Sequence, residues 1–153
     1  MGNEMTEKMT TYLSLRHVAL RVLNMERSRS FYERFFGMNV AWEPDPGHVY
    51  LTNGSDILAL HQIPDVFTVS KGMLDHFGFV VEGIAEVDQM AQRAKENGLS
   101  ILKGPKHHRD GSYSFYMPDP DGNVIQILYE PHISPSLCGE DYFKNKMEEM
   151  RNE

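Results

Sequence analysis

The chain contains one pattern twice. Leu15-Arg16-His17-Val18-Ala19-Leu20-Arg21-Val22 is matched by Leu74-Asp75-His76-Phe77-Gly78-Phe79-Val80-Val81: a leucine, a charged residue, a histidine, then a largely apolar run of strand length. A repeat restricts the fold more than any single motif, because each copy is a supersecondary unit that needs a neighbour to bury its apolar face. Alternate side chains of an extended strand share a face. His17, Ala19 and Arg21 therefore fall together in the first copy, and His76, Gly78 and Val80 in the second. The two histidines hold the same phase of equivalent strands.

The similarity continues beyond the strands. Asn24 is placed to cap a helix over 25–36, where Phe31, Phe35 and Phe36 form an apolar stripe before Gly37 stops it. A second helix is expected over 85–97, with Val87, Met90, Ala91 and Ala94 inward and Gly98 as its stop. Each helix is followed by three short strand patterns, at 39–42, 49–52 and 56–61 and again at 100–102, 114–117 and 123–129. Asn53-Gly54 is a hairpin signal, and Pro118-Asp119-Pro120-Asp121-Gly122 sets the last turn. The expected fold class is α+β, with two βαβββ modules over 13–62 and 72–132 joined by a linker at 63–71. Residues 1–12 read as an arm, and 133–153 as a tail with helical spacing from about Glu140.

The bulk composition excludes several classes of protein. With 41% hydrophobic and 24% charged residues in 153, the chain can bury a core and is not a disordered one. No apolar run approaches the roughly 20 residues that a membrane span needs, and the polar start MGNEMTEKMTTY is neither a secretory nor a transit signal. A net charge of −7 without a basic, aromatic-interleaved stripe argues against nucleic acid or an anionic membrane as partner. Cys138 stands alone, which excludes an intrachain disulfide and is consistent with a cytoplasmic setting. The one basic stretch, Lys103 to Arg109, reads as a solvated loop.

These residues resemble the vicinal-oxygen-chelate superfamily of glyoxalases, fosfomycin-resistance transferases and extradiol dioxygenases. The resemblance is carried by Leu15-Arg16-His17-Val18-Ala19-Leu20, Ser30-Phe31-Tyr32-Glu33-Arg34-Phe35-Phe36-Gly37-Met38, Asp75-His76-Phe77-Gly78-Phe79 and Phe115 to Gln126. It implies a cupped mixed β-sheet around one cavity, closed within a chain or across a homodimer. It also implies a divalent metal (Fe, Mn, Zn or Ni) chelated by two neighbouring oxygens of a small-molecule substrate.

On that resemblance His17, His76 and Gln126 hold the metal-ligand positions. Metal-binding relatives carry glutamate where Gln126 stands; an amide oxygen can still ligate, but it brings no charge and no proton acceptor. Glu130 shares the strand face but lies about 13 Å along it, as an alternative ligand. The inward residue of the first module's last strand is Ala59, or Leu58 if the register slips, so a fourth carboxylate ligand is absent there. Tyr116 and Lys106 match substrate-binding positions of the fosfomycin enzymes, while Ala19 replaces a threonine those enzymes use. His61 shares a face with Ala59 and is a third candidate for the catalytic wall. His107 or His108 could act as an acid–base only if their loop folds inward.

The resemblance leaves three functions open. The first is a metal-dependent enzyme, lyase-like or dioxygenase-like, acting on a small oxygenated substrate. The second is a metal-free binding or sequestering protein, and the third a fosfomycin-type thiol transferase. The intact histidine pair favours the first, and Gln126 favours the second.

Overall fold

The structure, a computed structural model, describes residues 15–64 and 72–134. The N-terminal arm, most of the linker and nearly all of the tail, Cys138 included, lie outside the described residues. The first half runs β1 (His17–Val22), α1 (Met25–Phe36), β2 (Asn39–Asp45), β3 (His48–Thr52) and β4 (Ile57–Gln62). The second runs β5 (Phe77–Val80), α2 (Ile84–Glu96), β6 (Lys103–His107), β7 (Tyr113–Pro118) and β8 (Val124–Tyr129). Each half forms one four-stranded mixed sheet, ordered β1-β4-β3-β2 and β5-β8-β7-β6. β1 is parallel to β4 and β5 to β8, and the remaining neighbours are antiparallel. The fold is α+β, built from two βαβββ modules.

Local chemistry explains the elements. Asn24 accepts the Arg27 N–H at 2.8 Å to start α1, and Gly37 ends it at φ +65°, where a side chain would be strained. Met25, Ser28, Tyr32 and Phe35 form the buried face of α1. That face packs on β3 and β4, while α2 packs on β6, β7 and β8. Leu20, Val22, Val49, Leu51, Leu58 and Leu60 meet the first helix side, and Phe115, Met117, Ile125 and Ile127 the second. Each sheet is therefore covered on one face. The other face carries His17, Ala19, Arg21, Ala59 and His61 in the first sheet, and Gly78, Gln126 and Tyr116 in the second.

The second strand of the second module is displaced from the position its pattern suggests. The apolar stretch 100–102 is not a strand; Lys103–His107, read above as a solvated loop, is. Leu99 and Ile101 are drawn against the core instead. Pro105 offers no N–H, which a strand tolerates at a sheet edge, and the β6–β7 register shifts between Lys103 and Lys106. His76 also falls one residue before β5 rather than within it.

The modules are joined through the turn between β7 and β8. The Asp119 carboxylate, 5% exposed, accepts from the Tyr32 hydroxyl at 2.7 Å, from the Asp121 and Asn123 N–H groups and from the Asn123 amide. Asp121 accepts from the Leu23 N–H, the Arg27 guanidinium and the Ser28 hydroxyl. Burial, reinforced by the Asp119 charge, pushes the Tyr32 phenol far above its ordinary pKa, so it remains a donor. Phe36 stacks on Phe79 with ring centroids 4.2 Å apart. α1 of the first module thus rests against the second.

Candidate functional site

A concavity of about 560 Å³ opens on the uncovered face of the second sheet, lined by His76, Lys106, His107, His108, Arg109, Asp110, Ser112, Tyr116 and Gln126. Strand pairing explains how it assembles. β8 lies between β5 and β7, setting Gly78, Gln126 and Tyr116 side by side across the sheet. Gly78 keeps the β5 side of this row low: a Cβ there would come within 2.9 Å of Leu128 Cδ2 and 3.2 Å of the Gln126 carbonyl oxygen.

Each polar group in this row has an assigned orientation. His76 Nδ1 lies 2.6 Å from Asp75 Oδ2, so the carboxylate holds the Nδ1–H tautomer and leaves Nε2 as the basic nitrogen. The Tyr116 ring stands edge-on to His76 at 5.3 Å and to His108 at 6.3 Å, with the Lys103 ammonium 5.5 Å from its centroid. Gln126 Nε2 donates to Ser114 Oγ at 2.9 Å, and the same hydroxyl lies 2.8 Å from His108 Nε2. The Gln126 amide oxygen is then the atom left to face the pocket. At the rim, the Ser112 hydroxyl and N–H both donate to Asp110 and hold its carboxyl below the usual range. Asp110 therefore stays charged, but Lys106 and Arg109 outnumber it in the pocket wall, which is cationic in a chain of net charge −7.

His76, Gln126, Tyr116 and Lys106 are brought together; His17 and His61 do not line this pocket. His17 is an exposed residue of β1, on the uncovered face of the first sheet. His61 is on the same face, paired with Arg21 on one side and His48 on the other. Its ring lies 4.9 Å from that of His48, and its Nε2 is buried without a hydrogen-bond partner. Glu130 lies beyond β8, where its side chain accepts the His132 N–H in a turn. Among the described residues no three His, Cys, Asp or Glu side chains gather as a metal site.

Two features beside the pocket residues carry no role in the sequence: Asp75, whose adjacency to His76 is the available signal, and Ser114, which shares the alternating face of Tyr116 on β7. His108 needs an inward path of its segment to reach the pocket, and it lines it directly after β6.

Comparison with known proteins places this geometry. The profile of the Glyoxalase/Bleomycin resistance protein/Dioxygenase superfamily matches residues 14–127. The chain belongs to that superfamily. It is 30% identical to the trivalent organoarsenical cleaving enzyme of Bacillus sp. (strain MD1) over 74% of this chain and 71% of the relative. It is 25% identical to the metallothiol transferase FosB of Staphylococcus saprophyticus, over 90% of this chain and 88% of the relative. Among solved structures, a possible glyoxalase from Bacillus cereus superposes with a TM-score of 0.63 at 28% identity, covering 76% of this chain and 99% of that one. These relatives are named for different reactions, so membership of the superfamily does not by itself fix this chain's chemistry. No helix among the described residues is long and apolar enough to cross a membrane.

Proposed function

We propose that this superfamily member is a metal-dependent enzyme that binds a small, oxygenated, anionic substrate at the His76–Gln126–Tyr116 face. The observation that carries the reading is the orientation of His76. Its Nδ1 is engaged by Asp75 at 2.6 Å, the support a metal-binding imidazole takes from a neighbouring carboxylate. His76 Nε2 and the Gln126 amide oxygen are donors suited to Fe, Mn, Zn or Ni. When bound, such a metal supplies Lewis-acid polarisation of two neighbouring substrate oxygens.

The chain's own groups do the remaining work. Lys106 and Arg109 attract the anion, and the Tyr116 hydroxyl donates to it. One chain contributes only two corners of the ligand set at this pocket. The third is His17, exposed on the other sheet, and we assign it to a homodimer in which the first sheet of one copy closes over the second sheet of its partner. His61 and its aromatic neighbours Tyr50 and His48 then form the opposite wall.

The neutral Gln126 favours a second reading, a metal-free protein that holds the same anion by Lys106, Arg109 and Tyr116 alone. Metal analysis of the purified protein, with His17→Ala and His76→Ala beside it, separates the two. The enzyme reading expects near-stoichiometric metal that either substitution removes. No metal under any supplement, with ligand binding indifferent to both substitutions, would leave the binding protein.

A further inference from the structure

Gln126 differs from a carboxylate in a way that places a demand on its neighbours. Both ends of a carboxylate can ligate, whereas an amide has an oxygen that can and a nitrogen that cannot. A pocket built on glutamine therefore requires something to fix which end faces in. We infer that Ser114 is the positioning residue that does this, acting through Gln126 rather than on the substrate; the inference rests on reading the pocket as a metal site.

Ser114 is fully buried on β7, with its Oγ 2.9 Å from Gln126 Nε2 and 2.8 Å from His108 Nε2. A hydroxyl has one hydrogen to give. The amide nitrogen can only donate, so Ser114 accepts from Gln126, which leaves its own hydrogen to go to His108 Nε2. The chain of bonds has one direction: Gln126 N–H to Ser114 Oγ, and Ser114 O–H to His108 Nε2. With one amide hydrogen taken by Ser114, Gln126 Oε1 is turned to the pocket. That direction requires His108 as the Nδ1–H tautomer, with Nε2 as the acceptor. Reversing the chain would present an N–H to the pocket and remove a ligand. Ser114 thus makes an amide serve where a carboxylate would need no orientation.

The test combines two substitutions in the full-length protein with two measurements. Calorimetric titration with Ni²⁺ alone should show tighter binding in Gln126→Glu. Ser114→Ala should weaken Ni²⁺ binding about tenfold, in the range seen when an outer partner of a ligand is lost. In the Gln126→Glu background the same Ser114→Ala change should cost no more than about twofold, the scatter of uncoupled sites. Equal losses in both backgrounds would reduce Ser114 to a packing residue and overturn the inference.

The Gln126 side-chain amide, identified in ¹⁵N spectra by its loss in Gln126→Glu, reads the orientation without metal. One of its two protons should exchange slowly in the wild type and rapidly in Ser114→Ala. Two rapidly exchanging protons in the wild type would refute the role of Ser114. If Gln126→Glu leaves Ni²⁺ affinity unchanged, the metal reading falls, and the amide signal alone then decides whether Ser114 orients Gln126.

Discussion

The two modules share a backbone plan, and the equivalent positions of their open faces differ either in residue or in what surrounds it. Where the second module has Asp75 beside His76, the first has Arg16 beside His17. Arg16 reaches the Ser55 carbonyl and offers the imidazole no acceptor, whereas Asp75 grips His76 Nδ1. Across the sheet, Gly78 pairs with Gln126 while Ala19 pairs with Ala59. One strand further, Tyr116 and Tyr50 occupy matching places. Tyr116 stands between two imidazoles under a lysine, and Tyr50 between Trp42 and His61. The repeat specifies a scaffold; the departures from it specify which half carries a polar site and which an aromatic wall.

The connecting turns give the largest contrast. Asp56 accepts the Asn53 N–H within its own turn, while Asp119 and Asp121 reach across to α1. Asp119→Ala would strip partners from the buried Tyr32 hydroxyl, two N–H groups and the Asn123 amide. It should lower unfolding free energy by about 3 kcal/mol, since bonds to a charged acceptor are strong and the orphaned Tyr32 hydroxyl stays buried. Asp56→Ala should cost only about 1 kcal/mol. Urea denaturation of both variants checks this, and equal costs would show that the modules do not depend on the β7–β8 turn to associate.

A smaller effect separates the histidines. Asp75→Asn should weaken Ni²⁺ binding about tenfold, because the orienting charge at His76 is lost. Arg16→Gln, at the equivalent position, should leave it within about twofold. A reversal of the two would move the oriented imidazole to His17. Weaker again is the tyrosine pair. Tyr116→Phe should lower affinity for inorganic phosphate, as a stand-in for an anionic substrate, by about fivefold to tenfold, the worth of one hydrogen bond. Tyr50→Phe should leave it unchanged. Loss of phosphate affinity on Tyr50→Phe alone would place the anion on the first sheet.

The scaffold was legible because its signals are local. Asn24 and Gly37 bracket α1 at both ends, and the Asn53-Gly54 and Asp121-Gly122 turns separate strands whose alternation is clear. The β6 shift was hidden because hydropathy reported Leu99 and Ile101, which pack inward, and not the backbone pairing of polar Lys103, Gly104, Pro105 and Lys106 at a sheet edge. His76, Gln126 and Tyr116 could be placed on one face by strand phase. The His108–Ser114 bond could not, because it crosses a loop whose path depends on where β6 begins. Whether His17 completes the pocket depends on a second chain, which no spacing within this one encodes.

The smallest expected effect sets two rim carboxylates against each other in acid. The Ser112 hydroxyl holds the Asp110 carboxyl below the usual range in the second module, and the His48 ring does the same for Asp45 in the first. A carboxyl whose folded pKa is depressed contributes stability above its unfolded value, near 3.9, and loses it as pH falls through the lower folded value. Both caps should therefore persist at pH 5 and fail only below about pH 4. Amide exchange reads them separately, since Ser112 N–H donates to Asp110 at 3.0 Å and Gly47 N–H to Asp45 at 2.8 Å. The two protections should fade over a similar acid range, yet only the first should change phosphate affinity, because Asp110 and Ser112 line the His76 pocket and Asp45 does not. Phosphate affinity that follows Gly47 through Asp45→Asn, and ignores Asp110→Asn, would assign the anion to the first module instead.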